Sequence, residues 1–126
     1  MSFGIVDSTV VIHILRGQKV AQNWATNYPT QLSIVSTSWM EVMSGTMSKA
    51  NQAATRKVLD NFETLYLTLT DQQWAMQQVE VYQFSHRIGI YDCQIASVAH
   101  RLQIPLYTHN LKHMRPLLGA LAVKPY

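Results

Sequence analysis

Cysteine is almost absent from this chain. Its only thiol, Cys93, excludes an internal disulfide and any zinc site built from cysteines. Charge is scarce as well: 13% of the residues are charged, ten Lys and Arg against seven Asp and Glu, and the net +3 suits a polyanionic partner without requiring one. No apolar run approaches the roughly 20 residues that cross a bilayer. The opening Met-Ser-Phe-Gly has neither the basic start nor the apolar stretch of a secretory signal. A cytoplasmic protein with no membrane partner is the expectation. The five glycines are scattered, so no Gly-rich loop is available to cradle a phosphate. No internal repeat, low-complexity tract or linker divides the 126 residues, and 48% apolar content is enough for one packed core, so a single domain over residues 1–126 is expected.

What is present alternates between short apolar runs and helical periodicity. Phe3-Gly-Ile-Val6 is continuously apolar and ends at Asp7, the pattern of a buried parallel strand, and Ser8 to Leu15 reads as a helix stopped by Arg16-Gly17. A helix over Val20–Thr26, a turn at Asn27-Tyr-Pro29 and a strand over Leu32–Val35 follow. Ser36 and Thr37 are placed to cap the next helix, where Trp39, Met40, Met43 and Met47 recur at helical spacing around Glu41, with Gly45 close behind. Ala54, Val58 and Phe62 predict a helix from about Ser48 to Phe62, Leu65–Leu69 a third strand, and Thr70 with Gln73 a capping box opening a helix to about His86. A helix opening at Asp92 turns Ile95, Ala96, Val98, Ala99 and Leu102 inward, and Pro105 stops it. Leu106-Tyr107 is then a strand, Leu111–Leu118 a short helix and Leu121–Val123 a last edge strand. This alternation predicts an α/β protein whose mostly parallel sheet carries helices on both faces.

The acids fall into two groups. Asp60, Glu63, Asp71 and Glu80 stand in polar, helix-boundary or exposed-looking surroundings, whereas Asp7, Glu41 and Asp92 are each embedded in uncharged, largely apolar sequence with no adjacent Lys or Arg. A carboxylate taken out of water without a partner costs several kcal/mol or takes up a proton. One shared cation resolves all three, because Mg²⁺ or Mn²⁺ takes oxygen ligands from one or two carboxylates and keeps several waters. Other readings stand beside this one: Asp7 and Asp92 can each cap the helix that follows, and Glu41 can pair with a distant arginine.

Four short stretches, each weak alone, occur in series: Ile5-Val-Asp7-Ser-Thr-Val-Val, Ser36-Thr-Ser-Trp-Met-Glu41-Val-Met-Ser-Gly45, Tyr91-Asp92-Cys-Gln-Ile-Ala-Ser-Val-Ala99, and Leu106-Tyr-Thr108-His-Asn110-Leu-Lys-His113-Met. Together they span nearly the whole chain and resemble a PIN domain, more closely the VapC-type toxin ribonucleases of toxin–antitoxin systems. The resemblance implies a three-layer α/β/α sandwich with a mostly parallel central sheet. It also implies one or two Mg²⁺ or Mn²⁺ ions, endoribonuclease activity on an RNA substrate, a homodimer, and inhibition by a cognate antitoxin protein. Carried over residue by residue, it makes Asp7, Glu41 and Asp92 the catalytic metal ligands and Asn110 the amide beside them, with Ser8 and Thr108 orienting carboxylates by hydrogen bonds. Water activated by Asp7 and Asp92 is expected to attack a phosphodiester while the ion stabilises the developing charge.

This chain departs from the pattern at His113, where many PIN domains carry a further acid. The change removes one negative charge, so a second ion should bind more weakly. His113 is expected to turn aside and pack or contact RNA, with a general acid–base role as the alternative. Arg16, Lys19, Arg87, Lys112 and Arg115 flank the motifs and can hold phosphates, Lys112 and Arg115 foremost. His13, His86, His100 and His109 have no metal-ligand spacing and are read as structural. Trp24, Trp39, Met40, Met43 and Met47 are read mainly as core, with some left for a dimer interface or an antitoxin groove. Two further readings remain: a catalytically weak PIN-like module that binds RNA or protein, motivated by the missing acid, and a flavodoxin-like binding domain whose carboxylates are only caps.

Overall fold

Most strands are short apolar runs, and each of the first four is followed by a helix. The computed structural model describes residues 3–126, in which β1 is Ile5–Val6, β2 Ser33–Val35, β3 Glu63–Leu65, β4 Leu106–Tyr107 and β5 Ala122–Val123. The helices are α1 Ser8–Leu15, α2 Lys19–Thr26, α3 Ser36–Ser44, α4 Lys49–Leu59, α5 Leu69–Tyr82, α6 Ile90–Leu102 and α7 Leu111–Leu118, with a 3₁₀ turn at Gly119–Leu121. All strand pairings are parallel, in the order β3-β2-β1-β4-β5. The chain therefore builds outward from β1 to β2 and β3, then crosses to the other side of β1 for β4 and β5. That reversal puts a crevice between the C-terminal ends of β1 and β4, the place where open parallel sheets bind ligands.

Period-two alternation divides the strands between two cores. Ile5, Val35 and Leu106 join Ile95, Val98, Ala99 and Met114 on the α5–α6–α7 side, while Val6, Ile34 and Leu32 join Val10, Val11, Val42 and Leu59 on the other. The expected three-layer α/β/α sandwich is the fold found, with a sheet that is parallel throughout. No helix among the described residues is long and apolar enough to cross a membrane.

Several boundaries differ from the sequence-based expectation, each for a local reason. Phe3 lies outside β1 and is 50% exposed. Gly4 continues the pairing by accepting from Ser33 N, and any Cβ there would run into the Tyr107 ring and the Tyr28 hydroxyl. The third strand is Glu63–Leu65 rather than Leu65–Leu69, because pairing with Ser33–Val35 sets its register. Leu69 instead opens α5, and the capping box is formed by Thr68 and Asp71, not by Thr70 and Gln73. That helix ends at Tyr82, short of His86, and α6 begins at Ile90, two residues before Asp92. Ser36 and Thr37 lie inside α3, whose N-cap is Val35, and Met47 lies beyond its end.

Asp71 was grouped with the exposed acids and is instead only 2% exposed. Its carboxylate accepts from the backbone N–H of Thr68 at 2.9 Å and from Arg101 Nε at 2.9 Å, so it ties the start of α5 to the last turn of α6. Burial pushes this carboxyl up, but the Arg101 and Thr68 hydrogen bonds and the Arg101 charge outweigh it and hold the group below the ordinary carboxylate value. A carboxyl depressed in the fold contributes stability that is present above its unfolded value of about 3.9 and lost as pH falls through the folded one. Asp71→Asn is expected to cost about 1–3 kcal/mol at pH 7. In urea titrations below pH 4, the gap between variant and wild type should close; a gap independent of pH would mean that Asp71 acts only through packing.

Candidate active site

Asp7 follows β1 and Thr108 follows β4, so the strand order itself brings these two side chains together. Thr108 Oγ1 donates to Asp7 Oδ2 at 2.7 Å, and Ser8 N donates to Asp7 Oδ1 at 2.7 Å. Asp7 thus caps α1, as the simplest reading of the sequence required, and also points into the crevice between β1 and β4. Having given its proton to Asp7, the Thr108 hydroxyl accepts from Asn110 N at 2.9 Å, which fixes the turn into α7. Ser8 Oγ donates to Glu41 Oε1 at 3.0 Å and so links α1 to α3. Both hydroxyls therefore donate to carboxylates of this crevice.

Asp92 sits in the first turn of α6, which has no side-chain cap. His113 Nδ1 lies 3.0 Å from Asp92 Oδ2, so His113 does not turn aside as expected from the sequence; it faces the site. One helical turn of α7 explains this, since Asn110 and His113 are three residues apart and share a face. A carboxylate only accepts, so Nδ1 carries the hydrogen given to Asp92. A half-turn of the Asn110 amide, whose nitrogen lies 3.2 Å from the same Nδ1, brings its oxygen to share that hydrogen.

The three carboxylates feel one another. Asp7, 4% exposed, is pushed above the ordinary carboxylate value by burial and by the charge of Asp92, against the pull of the Thr108 and Ser8 bonds. Burial raises Glu41 too; the Ser8 hydroxyl opposes that, and the charges of Asp7 and Asp92 add to it. Neither has a basic partner among the described residues: Arg56 pairs with Asp60 and Arg101 with Asp71. The arginine partner considered for Glu41 is therefore absent. Arg16 lines a cleft of about 420 Å³ with Glu41, while Tyr91, Ile90, Gly89 and Asp92 line another of about 380 Å³ on Glu41's other side. Lys112 and Arg115 are exposed on the same helix as His113, and Arg87 is exposed in the loop before α6 with its backbone in the left-handed region, φ 52°.

Hard oxygen donors carrying surplus negative charge fit Mg²⁺ or Mn²⁺. Among the described residues no three His, Cys, Asp or Glu side chains already converge on one point.

Two features escaped the sequence. Thr37 Oγ1 donates to Gln94 Oε1 at 3.1 Å, joining α3 to α6 four residues before Glu41 and two after Asp92; neither residue type stands out in sequence. Tyr91, left outside the helix by the sequence reading, lies in the first turn of α6 and is 57% exposed. Met40 and Met47, read as core, are also exposed, Met47 by 91%. The other histidines pack: His100 stacks on Trp74, His86 meets Tyr82 edge-on, and His13 and His109 surround Tyr126.

The metal-free protein should carry a measurable electrostatic burden. A carboxyl raised in the fold binds more protons there than in the unfolded chain, so stability falls as pH climbs from about 4 through the folded value and is not regained above it. Asp7→Asn removes the charge and keeps the bond from Ser8 N through its one oxygen, while its NH2 can only donate to the Thr108 hydroxyl. In EDTA at pH 7 the variant should be more stable than wild type by about 0.5–2 kcal/mol. Equal stability in urea denaturation would show that Asp7 is not strained by its neighbours.

No protein-family model matches the sequence, and no curated protein matches it. Solved structures do. A chain of a toxin–antitoxin complex from Klebsiella pneumoniae is 22% identical and superposes with a TM-score of 0.81 over 98% of both chains. A chain of the DNA-bound VapBC complex from Salmonella typhimurium is 21% identical, TM-score 0.77, over 94% of this chain and 95% of that one. A chain of VapBC2 from Rickettsia felis, bound to a DNA fragment from its promoter, is 20% identical, TM-score 0.76, over 90% of this chain and 92% of that one. The fold is that of the PIN-domain VapC structures.

Proposed function

We propose that this chain is a metal-dependent endoribonuclease, the toxin of a toxin–antitoxin pair, hydrolysing RNA phosphodiester bonds. The observation that carries the reading is the set Asp7, Glu41 and Asp92 near the strand-order reversal, within reach of one another's charge and with no Lys or Arg partner among the described residues, Asp92 meeting only His113. Structural caps do not need to be gathered within reach of one another's charge. The fold likeness to chains of toxin–antitoxin complexes supports the biological setting.

In this reading Asp7, Glu41 and Asp92 hold Mg²⁺ or Mn²⁺. When bound, the ion lowers the pKa of water and neutralises charge on the phosphodiester. Asp7, raised by burial, is suited to take the proton of the attacking water. Thr108 and Ser8 keep the Asp7 and Glu41 oxygens aimed, and His113 holds Asp92 by its Oδ2. Because His113 stands where a fourth acid would add charge, one ion is the expected resident. Lys112, Arg115, Arg16 and Arg87 are available for RNA phosphates around the crevice. The exposed apolar side chains Met40, Tyr66, Leu69, Met76 and Phe84 provide surface for a cognate antitoxin and for a second copy of the chain. A cytoplasmic location goes with this role.

A catalytically weak RNA- or protein-binding module remains the second reading, favoured by His113 occupying Asp92. Incubating purified protein with an end-labelled small-RNA pool in Mg²⁺, Mn²⁺ or EDTA separates the two. Discrete metal-dependent products are expected, with Asp7→Asn slower by about 10²-fold or more. Tight RNA binding with no cleavage in any metal would hand the assignment to the binding module.

A further inference from the structure

Resting on the nuclease reading, we infer that Tyr91 is a base-stacking residue that restricts the site to unpaired RNA, by taking the base of a nucleotide next to the scissile phosphate in the cleft formed by Glu41, Gly89, Ile90, Tyr91 and Asp92. Most tyrosines of this chain have work elsewhere. Tyr28 and Tyr107 share a hydrogen bond, Tyr82 donates to Pro116 O, and Tyr126 bonds His13. Tyr91 makes no hydrogen bond or ring contact with any described residue and is 57% exposed. An isolated exposed aromatic needs no explanation. This one immediately precedes Asp92 and lines the same open cleft of about 380 Å³ as two of the three site carboxylates. That volume lies within the range of roughly 300–1,000 Å³ that holds small organic ligands.

The remaining walls suit a flat, neutral guest. Gly89 adds no side chain, and a Cβ placed there would meet only Asp92 Oδ2 at 3.9 Å, so the mouth is open. Ile90, exposed beside it, supplies an apolar edge. The aromatic face of Tyr91 and the apolar edge of Ile90 favour the flat face of a base over a charged phosphate, so a nucleotide entering here sets its base on Tyr91 with its phosphate turned toward the carboxylates that would hold the ion. A paired base keeps both faces stacked inside its helix and cannot present one to Tyr91, whereas an unpaired base can.

The test measures fluorescence anisotropy of a labelled single-stranded oligoribonucleotide and of the blunt duplex it forms with its complement. It is made in Mg²⁺ on the Glu41→Gln background, which keeps the strands intact. Loss of one stacking contact corresponds to about a 5- to 150-fold weaker Kd for Tyr91→Ala on the single strand, with Tyr91→Phe within about twofold of its parent and duplex binding alike in all three. Unchanged single-strand binding by Tyr91→Ala overturns the inference, as does an equal loss on the duplex. Cleavage by the wild-type chain is scored separately. If it cuts RNA while Tyr91→Ala binds normally, only the stacking role falls; if no form binds or cuts RNA, the nuclease reading falls with it.

Discussion

A short hydrogen bond from the Thr108 hydroxyl to Asp7 ties two side chains together just past the β1–β4 ladder, where the strand order reverses. β1 enters that point from the start of the chain and β4 from near its end. Their parallel pairing, Val6 opposite Tyr107, brings the two side chains to the same rim. Asp7 cannot rotate without breaking its bonds to Ser8 N and Thr108, and Thr108 in turn fixes the turn that carries Asn110 and His113. The position of the third acid follows from the same turn, because His113 reaches Asp92 across the crevice. The site is therefore a set of hydrogen-bonded spacers between carboxylates that would otherwise move apart.

The contrast with Asp71 shows what such a site costs the fold. Asp71 is as buried as Asp7, but Arg101 and the Thr68 backbone satisfy it, and its carboxyl is held down. Asp7 receives two hydrogen bonds and no cation, and its carboxyl is pushed up. The same residue type is a staple in one setting and a source of strain in the other. Asp7 is thus held at a cost to stability that Asp71 does not carry.

The strand–helix alternation, the parallel sheet and the three embedded acids were legible because each depends on local pattern: continuous apolar runs for buried strands, apolar periodicity for helices, and uncharged surroundings for the acids. The errors came where tertiary pairing overrode that pattern. Leu65–Leu69 has strand composition throughout, yet only Leu65 pairs, since Thr68 and Asp71 close a cap that the Thr70–Gln73 spacing imitates. Asp71 looked solvated because its partner is 30 residues away. His113 was read as turned aside because no property of the residues near it in sequence points to Asp92, 21 residues earlier. Met47 follows helical spacing but lies past the end of α3, where spacing no longer implies burial.

The central position of β1 has a consequence in time as well as in space. Asp7 and its partner Thr108 are 101 residues apart, so a chain emerging in order from its N-terminus carries all three carboxylates before it carries the residue that aligns the first of them. Between Asp92 and Thr108 the nascent chain has the acids and lacks the hydroxyl that aligns Asp7. β1 must wait with one edge bare until β4 arrives. A chain halted before Thr108 would have the carboxylates without the hydroxyl that aligns Asp7, so the geometry of this crevice waits on the pairing of β4 with β1.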